Sequence, residues 1–168
     1  MSEGNGSVAI IYASRHGATK EIAEAMQSEL AGHGLSAALH SVEEPIDLTG
    51  YDAVVLGSAV YMGRWVKDAR EFAETRAGEL KDKSLWLFSS GPIGNPPEPM
   101  DEPFGLPELK AELGARDHHV FAGKVDKSQL GFGERAVLAA VRAEEGDSRN
   151  WDEIRAWASG IADQLAAG

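Results

Sequence analysis

The chain has 168 residues, 43% of them hydrophobic, and a formal net charge of −11 with a sequence pI near 4.8. Its length suits one domain with a substantial core, while its acidity opposes binding to nucleic acid or anionic lipid surfaces and serves either solubility or a basic protein partner. It contains no cysteine, which excludes disulfides, thiolate nucleophiles and cysteine-ligated metal or iron–sulfur sites and fits a reducing compartment such as the cytoplasm.

Residues 1–7, MSEGNGS, read as a flexible polar tail with no basic start, and residues 8–168 as a single domain. No run is long enough to span a bilayer as a helix. Residues 8–13, VAIIYA, form an apolar, β-branched first strand. A polar turn follows, Ser14-Arg15-His16-Gly17-Ala18-Thr19, and then a helix over 20–32 with Ile22, Ala23, Met26 and Leu30 on one face, stopping near Gly32 and Gly34. Residues 35–40 alternate as an edge strand, and 53–58, AVVLGS, read as a buried parallel strand. The spacing of Ala69, Phe72, Ala73 and Arg76 predicts a helix over 66–80, followed by a buried strand at 84–89, SLWLFS. Residues 92–107 are rich in proline and lack a period, so they read as a long loop. A fifth strand is expected over 120–123, starting as early as His118, and helices over 134–142 and 152–166, the last with a stripe of Ile154, Trp157, Ala158, Ile161 and Leu165.

This alternation, β-α-β-β-α-β-α-β-α-α with a weak or absent helix between the second and third strands, predicts a parallel sheet covered by helices on both faces. Ligands of such sheets sit beyond the carboxyl ends of the strands. Three segments fall there: 14–19, then 58–65 (SAVYMGRW), then 89–98 (SSGPIGNPPE).

The first segment has the chemistry of a phosphate site. The leading N–H groups of a helix lack partners and carry the positive end of its dipole, Ser14 and Thr19 add hydroxyls, and Gly17 admits close approach. The same residue types also cap helices without any ligand. Neither a G-x-x-x-x-G-K-[ST] loop nor a G-x-G-x-x-G fingerprint occurs, so a small monophosphate-bearing cofactor fits best. In the second segment Tyr61 suits stacking on a planar ring, whereas Trp65, which leads into a helix, reads as core packing. The third is punctuated by Gly and Pro, and a loop of that length in a compact domain is more often functional than idle. The positions of the acidic residues of a receiver domain hold Ala13-Ser14 and Gly57-Ser58, which rejects that alternative. His118 and His119 are adjacent in a strand and point to opposite faces, so no metal is expected. Ser148 or Asn150 is the expected cap of the last helix.

On these residues the chain resembles the flavodoxin-like family of FMN proteins. That family's first loop follows Ser/Thr-x-Thr-Gly-x-Thr, matched here by Ser14, Gly17 and Thr19, with His16 at the middle hydroxyl position. The resemblance implies an α/β three-layer sandwich with a five-stranded parallel sheet of order 2-1-3-4-5 and non-covalently bound FMN. It is closer still to the branch containing the bacterial menaquinone-dependent protoporphyrinogen IX dehydrogenases, through YASRHGATKEIA, GSAVYMGRW, GKVD (123–126) and GDSRNWDEIRAWA (146–158). Residues 92–107 differ, carrying Glu98, Asp101 and Glu102 and no Lys or Arg.

By this resemblance Ser14, Arg15, His16, Gly17, Ala18 and Thr19 hold the phosphate. Backbone groups of residues 58–63, including Ala59, Tyr61, Met62 and Gly63, line the flavin ring, and the Met62–Gly63 peptide is the one that reorients on reduction. Ser89, Ser90, Gly91, Ile93 and Gly94 hydrogen-bond the pyrimidine edge. No side chain is identified for proton transfer, and no catalytic residue is assigned. Two functions follow from the resemblance. One is an FMN oxidoreductase passing electrons from a small organic donor, porphyrinogen-like or other, to an acceptor such as a quinone. The other is an electron carrier serving basic protein donors and acceptors, with no substrate of its own.

Overall fold

The computed structural model describes residues 7–14, 18–61, 64–90, 103, 105–121, 124–125, 146–147 and 151–167. In chain order the elements are β1 (Ser7–Ala13), α1 (Ala18–Gly32), β2 (Ser36–Ser41), β3 (Ala53–Tyr61), β4 (Arg64–Trp65), α2 (Lys67–Thr75), α3 (Ala77–Lys81), β5 (Ser84–Ser90), α4 (Leu106–Leu113), β6 (Asp117–Phe121), β7 (Lys124–Val125), β8 (Gly146–Asp147) and α5 (Trp151–Ala167). The expected helix at 134–142 and the caps at Ser148 and Asn150 lie outside the described residues, as do residues 1–6 of the tail.

The main sheet runs β2-β1-β3-β5-β6, all parallel, with β2 at one edge as its alternating pattern predicts. The expected order 2-1-3-4-5 differs only in numbering, because the two-residue β4 folds back antiparallel on the end of β3 and enters the count. A second, two-stranded pairing joins β7 and β8.

Side chains of successive strand residues alternate between two cores. On one face Val8, Ile10, Val55, Trp86 and Phe88 pack against Ile22, Met26 and Leu30 of α1 and Ile154, Ala158 and Ile161 of α5. On the other, Ile11, Val54, Leu56 and Leu87 meet Trp65, then Ala69 and Phe72 of α2, Leu80 of α3, and Leu106 and Leu113 of α4. Full burial of each large aliphatic side chain contributes about 1.5–3 kcal/mol, so the two cores hold the strand ends in fixed register.

Four expectations need correction. The helix over 66–80 is broken at Arg76 (φ −104°, ψ 16°), which ends α2 and precedes α3. Its guanidinium bonds Glu79 and reaches the carbonyl oxygen of Ile46 at 2.9 Å, a tertiary tie with no trace in the local period. The strand expected over 53–58 continues to Tyr61, because Val60 and Tyr61 find partners in Trp65 and Arg64. The loop over 92–107 ends earlier, with Leu106 and Pro107 in the first turn of α4, where proline's missing N–H costs nothing. The fifth major strand begins at Asp117, ahead of the expected start.

The crossover between β2 and β3 contains no helix and is held by side chains. His40 contacts Glu44 Oε2 through Nδ1 (3.1 Å) and the Tyr51 hydroxyl through Nε2 (3.0 Å). The Lys83 ammonium donates to the Tyr51 carbonyl oxygen at 2.6 Å, and Ile46 and Leu48 are buried.

Candidate functional site

Parallel strands bring their carboxyl ends to one edge of the sheet. Ala13 lies beside Ser58, Ser58 beside Ser89, and Ala59 beside Ser90, so the segments after β1, β3 and β5 leave the sheet together. This register sets side by side the strand ends from which the three segments singled out in the sequence start.

At the first, Ser14 follows β1 directly and is half-buried, and α1 begins at Ala18. Thr19, in the first turn of α1, is 1% exposed. A hydroxyl on each side of the turn thus flanks the positive end of a helix dipole. Arg15, His16 and Gly17, and the side chain of Ala18, lie outside the described residues.

At the second, Ala59 is half-buried and the backbone of Tyr61 pairs with Arg64. The Tyr61 side chain, Met62 and Gly63 lie outside the described residues. The return strand is anchored to three elements. The Val66 N–H donates to Ser58 Oγ (3.2 Å), and the Ser58 hydroxyl donates to the Ala59 carbonyl oxygen (2.7 Å). Arg70 Nε donates to the Trp65 carbonyl oxygen (3.0 Å). The Trp65 indole, 1% exposed, donates to Ser89 Oγ at 2.8 Å. Trp65 therefore packs in the core, as its place before a helix suggests.

At the third, Ser89 is fully buried and Ser90 is 5% exposed. Ser89 Oγ also contacts His118 Nε2 at 2.7 Å, so its side chain is engaged on the α2–α4 face of the sheet. Gly91, Ile93 and Gly94 lie outside the described residues. Sequence reasoning gave the side chains of Ser58 and His118 no role at the site. Ser58 has no distinguishing local pattern. His118 reaches Ser89 only because the β5–β6 register sets Leu87 beside His118 and Ser89 beside Val120.

His119 points to the opposite face, 3.1 Å from Glu153 Oε2 and with its ring centroid 4.4 Å from that of Phe121. Among the described residues no group of three His, Cys, Asp or Glu is placed to hold a metal ion. Among the same residues no helix is long and apolar enough to cross a membrane.

A family model described as a flavodoxin domain matches residues 9–152. The protoporphyrinogen IX dehydrogenase [quinone] of Escherichia coli strain K12 is 32% identical over 92 residues, covering 53% of this chain and 50% of that protein. The match thus spans about half the length of that curated relative. Among solved structures, a flavodoxin from the domain Archaea superposes with a TM-score of 0.65 at 16% identity, covering 95% of this chain and 98% of that one. The rubredoxin oxygen:oxidoreductase of Desulfovibrio gigas gives 0.65 at 15% identity, covering 96% of this chain and 36% of the other.

Proposed function

The chain belongs to the flavodoxin domain family, and from that premise we propose that it binds FMN non-covalently and acts as a redox protein, most specifically as an oxidoreductase passing electrons from a porphyrinogen-like donor to a quinone. One observation supports the flavin reading: β1, β3 and β5 end side by side, with Ser14 directly after β1 and Thr19 in the first turn of α1. That donor set fits a phosphate monoester, since hydroxyls and helix N–H groups donate to anionic oxygens.

Ser14, Arg15, His16, Gly17, Ala18 and Thr19 would hold the phosphate. Ala59, Tyr61, Met62 and Gly63 would border the ring, and Ser89, Ser90, Gly91, Ile93 and Gly94 its pyrimidine edge, Ser89 through its backbone. When bound, the flavin supplies the electron chemistry. The chain fixes its position, and a net charge of −11 disfavours added negative charge on the flavin. The dehydrogenase reading is supported by the 32% match over half the chain. We assign the chain one domain, expected over 8–168 and taking in Ser7 as the first residue of β1, and a cytoplasmic location, in keeping with the absence of cysteine.

A second reading is a carrier without its own substrate, favoured by the net charge of −11, which suits basic protein partners. The two separate in one experiment. The FMN-loaded protein is followed in its visible spectrum while protoporphyrinogen IX and then a quinone are added. Bleaching by the first and recolouring by the second supports the enzyme. A protein inert to both and reduced by a protein reductase supports the carrier.

A further inference from the structure

We infer that His118 is a positioning residue for the cofactor site, acting from the edge strand β6 through Ser89 and Trp65 on the β3–β4 hairpin. The inference rests on the flavin reading above. Two bonds meet at Ser89 Oγ: the Trp65 indole at 2.8 Å and His118 Nε2 at 2.7 Å. An indole N–H only donates, so Ser89 Oγ must accept from Trp65. The serine hydroxyl hydrogen then needs an acceptor. His118 Nε2 supplies one when the neutral ring carries its proton on Nδ1, and both bonds at Ser89 Oγ then have a donor and an acceptor.

The serine–indole end of the junction is enclosed, with Ser89 at 0% and Trp65 at 1% exposure, while His118 is half-buried. Low local polarity makes an unfilled hydrogen bond there costly, so the three groups hold one another in a single arrangement. Trp65 is the last residue of the hairpin: it faces Val60, and Arg64 faces Tyr61. What fixes the indole also holds the paired residues Val60–Tyr61 and Arg64–Trp65 against β5. Ser58 and Arg70 pin the backbone of this return, and Ser89 pins its side chain. The His118 side chain links β6 to this assembly. It reaches across β5 to a hairpin that begins beside Ser90 at Ala59. A strand with no loop in the three site segments thereby sets the rigidity of one of them.

The test uses the full chain. Indole N–H resonances are recorded for the apoprotein, Trp65 being identified by Trp65→Phe, and FMN affinity is measured by calorimetry. His118→Leu removes the acceptor, His118→Gln offers a replacement, and Ser89→Ala severs the link at its centre. The expected result is a displaced, faster-exchanging Trp65 resonance and FMN affinity lower by about tenfold in His118→Leu and Ser89→Ala, with most of both recovered in His118→Gln. An unmoved Trp65 resonance overturns the proposal. So does a moved resonance with FMN affinity within about twofold of the unaltered protein. Failure of the unaltered protein to take up FMN instead overturns the flavin reading, and is seen before any variant is made.

Discussion

The ring of Phe88 lies across the backbone of Gly57, filling the space that a β-carbon on residue 57 would need. The two residues are register partners in β3 and β5, and a β-carbon at Gly57 would stand 2.1 Å from the Phe88 ring. The ring cannot swing aside freely, since it meets Phe121 and Trp157 edge-on at centroid distances of 6.2 and 6.4 Å. Gly57→Ala is expected to destabilise the fold by about 1–3 kcal/mol through overpacking. Urea unfolding checks this, and Phe88→Leu in the same chain should recover part of the loss.

The end of α1 offers a backbone test. The Gly34 N–H donates to the Ala31 carbonyl oxygen at 3.0 Å, the Leu35 N–H to that of Leu30 at 3.2 Å, and Gly34 has φ +88°. These bonds close the helix in the left-handed turn that glycine adopts most easily. Nothing crowds residue 34, so Gly34→Ala tests conformation alone. The expected loss is about 1 kcal/mol, read by thermal or urea unfolding.

Much of this architecture was legible in the sequence. Apolar runs mark buried strands directly, and the stripes of α1 and α5 mark their inward faces. The break at Arg76 was not legible, because its cause is a bond to Ile46 thirty residues away. The extension of β3 to Tyr61 likewise depends on pairing with β4. At the site, Ser14 and Thr19 announced themselves through turn chemistry, and Trp65 through its place before a helix. His118 did not, because its partner is set by strand register and by nothing in its own neighbourhood.

The helix-free crossover should respond to acid. The Glu44 carboxyl is held below its ordinary value of 4.5, first by the Ser41 N–H it accepts and then by His40. Asp47 is held down by Thr49, and Glu79 by Arg76. A carboxyl with a lowered folded pKa stabilises above its unfolded value, and that contribution disappears as pH falls through the folded one. Stability should therefore decline as pH drops below about 4.5, and Glu44→Gln should flatten that decline while lowering stability slightly at neutral pH. Thermal melting between about pH 3 and 7 measures both effects.

If Ser14 and Thr19 bind a phosphate, their hydroxyls matter for FMN and not for its dephosphorylated form. Ser14→Ala and Thr19→Val are each expected to weaken FMN binding by about tenfold and to leave riboflavin binding within about twofold. Fluorescence quenching of the flavin reports both affinities.

The proposed grip of the β1–α1 turn on the phosphate of flavin mononucleotide is tested by calorimetric titration of the apoprotein with FMN and, separately, with riboflavin. FMN is expected to bind at least about a hundredfold tighter, the difference coming from charge-assisted bonds to one phosphate. Equal affinity for the two flavins, or no uptake of FMN, would contradict it.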